Sequence, residues 1–221
     1  MCSILLTKKP EHVIRALSNK AFMSRAYSKA KFSISLIDKA NRTFSTLKVG
    51  PTDVATPPKV YSFLREAEEG VFILHTHSPT ALELAEEIFH PSITDEETLL
   101  WHNGMILNNS EIGDDAWDTL NLANLLDKEG YKGLSKVKGS FACVRLNKHF
   151  ELEIFRNAMA PLFISTDNEY ISSCRFGAEY TFPTNSIFNI IEDNISKTLT
   201  LSGSESFVND YNPYGFKKEE K

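Results

Sequence analysis

Short apolar runs, some of them alternating between apolar and polar residues, recur along this chain and leave room for few helices. "KFSISLID" sets Phe32, Ile34 and Leu36 against polar neighbours, and "TFSTLKV" alternates in the same way. A period of two is the pattern of a half-buried strand. "KANR" between the two reads as a tight turn. "CSILL", "GVFILHTH", "LLWHNGMIL", "GSFACVRL", "ELEIFR", "PLFIST", "EYISSC" and "KTLTL" add further strands, most bounded by Gly, Asn, Asp or Pro. Helical spacing is confined to three stretches. Glu11 to Ala30 carries Val13, Ile14, Leu17, Ala21, Phe22 and Met23 near one face, with Pro10 as a first-turn residue. "PPKVYSFLREAEEG" is a helix stopped by Gly70. "DDAWDTLNLANLLDKEG" has acidic residues in its first turn and Gly130 at its end. About ten strands with two or three helices predict an α+β fold, with helices packed on the faces of two mostly antiparallel sheets.

The chain has 221 residues, enough for a sizeable core. "VGPTDVATPP", from Val49 to Pro58, is the nearest thing to a linker and is too short to separate domains. We therefore expect one domain over 1–221, with 206–221 a flexible tail. Hydrophobic residues are 42% and charged residues 24%, ordinary globular usage. A net charge of −5 gives no electrostatic reason to expect nucleic acid. No apolar run approaches the roughly 20 residues of a membrane span, and no signal-peptide core is visible. Three cysteines, Cys2, Cys143 and Cys174, cannot all pair within the chain, and no CxxC is present. A reducing, cytoplasmic setting is expected.

Four stretches bear on chemistry. Cys2 has two readings on its own residues. It is either a small apolar residue opening a strand or, with Met1 removed, a nucleophile. In the second case its α-amine, with an ordinary pKa of about 7.7–8, can take the thiol proton. "HTHSPT", from His75 to Thr80, ends an apolar strand and turns at Pro79, which leaves its polar side chains at a strand edge. "WHNGMIL" holds an Asn-Gly pair that usually marks a hairpin turn. Apolar residues flank it closely, however. A kink there would expose one amide N–H, with the Asn103 side-chain amide as a second donor, and make an oxyanion hole. "WDT" puts Asp118 near a helix start, either as a first-turn acid or reaching towards an ammonium group.

The order of these stretches resembles the class II glutamine amidotransferases, glutaminase domains of the N-terminal nucleophile hydrolase fold. The family opens Met-Cys-Gly-Ile, and this chain opens "MCSI". "HTH" stands for the family's "HTR", "HNG" (His102 to Gly104) matches outright, and Asp118-Thr119 matches an acid-threonine pair. "GSFA" (Gly139 to Ala142), "RNAMAPLFIS" (Arg156 to Ser165) and "YISSC" follow in family order, so the resemblance spans roughly residues 2 to 180. It implies a four-layer αββα sandwich. It also implies roles: Cys2 as nucleophile, Asn103 and the Gly104 N–H as oxyanion hole, and Asp118 receiving the substrate's α-ammonium. His77, Thr80 and His102 would complete the substrate site. Attack on the side-chain amide of glutamine would release ammonia, and water would free glutamate from a thioester.

Two positions depart from the family. Ser3 replaces glycine. His77 stands where the family clamps the substrate's α-carboxylate with arginine, and an imidazole with an ordinary pKa near 6.5 makes no bidentate fork. The alternative is therefore an N-terminal nucleophile fold kept as a binding or regulatory module. The chain ends about where a glutaminase domain ends, so an ammonia acceptor would be a separate enzyme. His75 and His77, two apart on a strand, with His102 elsewhere, are the nearest approach to a metal site. No carboxylate or cysteine falls at a supporting spacing, and we expect neither metal nor cofactor.

Overall fold

The computed structural model describes residues 2–23, 31–50, 57–65, 70–77 and 88–213. Two antiparallel sheets face each other. The seven-stranded sheet has the order β11-β9-β10-β1-β4-β2-β3. Its strands are β1 (Ser3–Thr7), β2 (Lys31–Asp38), β3 (Thr43–Val49), β4 (Val71–His77), β9 (Phe163–Ser165), β10 (Tyr170–Ser172) and β11 (Glu179–Thr181). The six-stranded sheet runs β13-β12-β8-β7-β6-β5. It contains β5 (Ser92–Ile93), β6 (Leu99–Ile106), β7 (Gly139–Leu146), β8 (Leu152–Arg156), β12 (Ser186–Asp193) and β13 (Thr198–Ser206).

Period-two alternation divides the side chains into layers. Ile4 and Leu6 of β1, Ile37 of β2, Val71 and Ile73 of β4, Leu99 and Trp101 of β6 and Ala142 and Val144 of β7 meet in one buried core. Those residues fill the space between the sheets. Leu5, Ile34, Phe72 and Leu74, one residue out of phase, face away and pack with Val13, Ala16, Phe22, Val60 and Leu64. The helical partners belong to α1 (Pro10–Ser18), α2 (Lys20–Met23) and α3 (Pro57–Arg65). On the other side, Leu100, Phe141, Cys143 and Phe155 pack under Leu122, Leu125 and Leu126 of α5 (Asp118–Glu129). A short α4 (Asn109–Ile112) precedes that helix, and a 3₁₀ stretch (Gly130–Lys136) follows it. The expected α+β, four-layer αββα stack is what the chain forms.

Three expectations are corrected. The helix expected over Glu11 to Ala30 breaks at Asn19, whose backbone is extended and whose Oδ1 accepts from the N–H groups of Ala21 and Phe22. Asparagine here caps a new helix instead of continuing the old one. Residues 24–30 lie outside the described residues, as do 66–69 of the next expected helix. β5, β11 and β12 have no counterpart in the expected strands. The tail expected from 206 is packed at its start. Phe207 is buried against Phe141 and Phe155. The Asn209 amide donates to the carbonyls of Leu134 and Val137. Residues 214–221 lie outside the described residues.

Candidate active site

At one end of the inter-sheet layer the apolar filling gives way to polar groups. The alternation that sends Ile4, Ile37, Ile73 and Trp101 inward also sends Cys2, Lys31, Ser33, His75, His77 and Asn103 inward. In the β1–β4 ladder Ser3 faces Thr76, so Cys2, one residue earlier, falls opposite His77. In the β2–β4 ladder Lys31 faces His77 from the other side. The register thus sets Cys2, His77 and Lys31 in a row across three strands. All three are buried, at 8%, 7% and 2% exposure.

The head of β1 is tied down on both flanks. The Ser3 N–H donates to Thr76 Oγ1 at 3.0 Å and the Ile4 N–H to Ser173 Oγ at 2.9 Å. The Ser3 hydroxyl lies 3.2 Å from both the Phe22 carbonyl and the Cys174 sulfur. A serine is therefore accommodated where the family has glycine, and it adds contacts that glycine lacks. Cys2 Sγ lies 4.0 Å from His77 Nδ1, at the outer limit for a sulfur hydrogen bond.

Asn103 projects from β6 into the same space, and its Oδ1 is buried with no hydrogen-bond partner among the described residues. Orphaned polar atoms are rare in folded interiors, which makes this one a marker of function. Gly104 follows at φ +156°, and a Cβ there would meet the Ser140 carbonyl oxygen at 1.9 Å. Asn-Gly is therefore not a hairpin turn. β6 runs straight through it, and only glycine fits so close to β7.

His102 points the other way, as its phase with Leu100 requires. Its Nε2 faces the Ser140 carbonyl at 3.3 Å and so carries the proton. Its Nδ1 lies 3.2 Å from the Thr119 hydroxyl at the start of α5. The residue reaches the inner layer through its backbone, where its carbonyl accepts from His75 Nε2 at 2.9 Å. That bond joins the two sheets. Asp118, at the first position of α5, accepts from the Ile106 N–H at 3.3 Å, and its negative charge acts on both His77 and Cys143. Thr80 lies outside the described residues.

Electrostatics sets the charge of His77. Burial first, and then the positive charge of Lys31, push the His77 imidazole down to about 4, with Asp118 opposing. His77 is thus neutral at neutral pH. The fixed positive charge in the row belongs to Lys31, whose Nζ also sits 4.8 Å from the centre of the Phe89 ring. The lysine opens a strand that reads from sequence as ordinary alternation, so only the strand order shows its place. His90 was also missed. Its ring stacks on His75 with centroids 3.7 Å apart, and the edge of Trp117 meets it at 5.3 Å. Cys143 is buried in β7 with its thiol pushed up by burial, and Cys174 is buried beside Ser3.

Two facing antiparallel sheets, each covered by helices, give the αββα fold seen in the N-terminal nucleophile hydrolases. Within that class, the chain is similar to glutamine phosphoribosylpyrophosphate amidotransferase from B. subtilis, solved with ADP and GMP. The match has a TM-score of 0.65 and 17% identity over 93% of this chain and 49% of that one. A second similar structure, described as the allosteric regulatory enzyme of purine biosynthesis, gives a TM-score of 0.62 and 15% identity over 96% and 50%. The chain thus spans about half the length of these proteins, and at such identity the likeness is one of fold. No protein-family model and no curated protein sequence matches it. Among the described residues no helix is long and apolar enough to cross a membrane.

Proposed function

We propose that this chain is an amidohydrolase of the class II glutamine amidotransferase type, acting through Cys2 on the side-chain amide of glutamine or a related amide. The observation that supports it most is the convergence of Cys2 and Asn103 on one inner face, from strands in opposite sheets. With Met1 removed, the Cys2 thiol attacks the amide carbonyl and its α-amine takes the proton. The Asn103 side chain and the Gly104 N–H receive the oxyanion, ammonia leaves, and water resolves the thioester. Asp118 receives the substrate's α-ammonium. Lys31 supplies the positive charge for its carboxylate, a role that the neutral His77 does not fill at neutral pH. Thr80 remains a candidate substrate contact on resemblance alone. His102 acts as a positioning residue, through its carbonyl on His75.

The test is intact mass followed by a glutamine-analogue diazo-ketone. The expected result is a chain beginning at Cys2 that gains one adduct, mapped to Cys2. Retained Met1 in the native protein, or label on Cys143 or Cys174, sinks the reading. A second reading, a binding module without turnover, is favoured by the neutral His77. It would show as processed protein that takes no label.

A further inference from the structure

His75, His77 and His90 bring one nitrogen each to within 4.8 Å of one another in the buried end of the inter-sheet layer. The geometry points to a divalent transition-metal site, with zinc as its natural occupant. His75 and His77 come from one face of β4, as alternation requires. His90 comes from the segment leading into β5, thirteen positions beyond His77, and no spacing rule finds it.

Two features distinguish the cluster from three histidines that merely pack. The first is how the rings are held. His75 donates Nε2–H to the His102 carbonyl at 2.9 Å, which fixes the tautomer and leaves the Nδ1 lone pair outward. The same strand, β6, holds His90 in one of two ways: Nδ1 accepts from the His102 N–H at 3.4 Å, or the ring donates to the Leu100 carbonyl, and only the second leaves a ring lone pair free to ligate. Metal-ligating histidines typically donate their other ring N–H to a carbonyl, as His75 does to His102. The second feature is what is left over. His75 Nδ1 and His77 Nε2 are both buried without a hydrogen-bond partner among the described residues. Buried polar atoms are seldom left so, and two neighbouring imidazole lone pairs make a donor set for zinc. Burial also favours the neutral, ligating form of all three rings.

Zinc–nitrogen bonds of about 2.0–2.1 Å place tetrahedral ligand nitrogens on the order of 3.3 Å apart. The widest pair must therefore close by roughly 1.5 Å from its present separation. Rotation of His77, whose contact with Cys2 is loose at 4.0 Å, provides that closure. Three histidines leave a fourth position open to water. Of the charged groups acting on the cluster, Asp118 favours a cation and Lys31 opposes one. The site stands whether or not Cys2 is a nucleophile.

The test is titration of the chelator-treated full chain with Zn²⁺ by calorimetry, and with Co²⁺ by visible absorption. One equivalent is expected to bind, with the intense bands of four-coordinate cobalt. His90→Ala should weaken binding by about a hundredfold or more, since even losing an outer-shell partner costs 10–100-fold. His12→Ala and His149→Ala should change nothing. Should His90→Ala fail to fold by circular dichroism, His77→Gln at the end of β4 gives the same reading. Absence of stoichiometric binding in the native chain, or binding that survives both cluster variants, overturns the site.

Discussion

Gly104→Ala tests the fold and the candidate site with one methyl group. Gly104 sits in mid-strand at φ +156°, and its added Cβ would lie 1.9 Å from the Ser140 oxygen, 2.6 Å from the Ser140 carbonyl carbon and 2.8 Å from His102 Nε2. Two of those three atoms are backbone of the paired strand β7, which cannot swing aside as a side-chain tip would. Strained backbone costs about 1–3 kcal/mol and overpacking a further 1–3 kcal/mol, so the substitution should cost about 2–6 kcal/mol. Gly203→Ala is the control. It too has positive φ, +60°, but nothing lies within 4 Å of its Cβ. Only the backbone cost of roughly 1–2 kcal/mol applies there. Equilibrium urea unfolding of both variants, with unchanged m, reads the difference. Equal losses in the two would refute the claim that β6 and β7 are in backbone contact at Gly104. That contact is what brings Asn103 to the inner face and the His102 carbonyl to His75.

Three further outcomes are expected. Asn103→Ala should leave urea stability near the native value and lower steady-state glutamate release about 10²–10³-fold, as loss of one oxyanion donor does; unchanged turnover would remove it from the mechanism. Lys31→Met keeps the length of the side chain but removes its charge. It should raise the KM for glutamine by roughly 10–100-fold, the worth of a charged hydrogen bond, with a smaller change in kcat, and an unchanged KM would place the substrate carboxylate elsewhere. Phe207→Ala should cost about 3–5 kcal/mol in urea unfolding, as for a core aromatic, whereas a loss within 0.5 kcal/mol would restore the mobile tail.

The sheet core was legible because the relevant signal is local. β2 carries its two faces in its own alternation, β4 is an apolar run buried on both faces, and the layer structure follows once two sheets are assumed. β5 and β11 were not legible, since two or three residues are too few to show a period. β12, "SIFNIIED", alternates poorly because Ile191 points to solvent, half exposed, while Ile190 is buried. The break at Asn19 was hidden by the apolar spacing, which runs on through Ala21, Phe22 and Met23 in phase with α1. Only the hydrogen bonds of the Asn19 side chain end the first helix and begin the second.

The site divides along the same physical line. Cys2, Asn103, Gly104 and Asp118 lie in stretches that look unusual on their own residues, so sequence singles them out. Lys31 and His90 do not, because what makes each unusual is a neighbour far away in the chain. Lysine at a strand end is ordinary. It becomes a buried charge when β2 pairs with β4 and sets it against His77. A histidine before a proline is equally ordinary. It joins a cluster when β5 pairs with β6 and lays its ring on His75. The departure at His77 then reads differently from the way it does in one dimension. Arginine in that position would project a permanent charge into a space already holding Lys31 and two neutral imidazoles, where burial penalises every charge. A histidine there relieves that crowding by being neutral. With histidine there, the positive charge of the row sits on β2, at Lys31, and an uncharged ring nitrogen faces the Cys2 thiol.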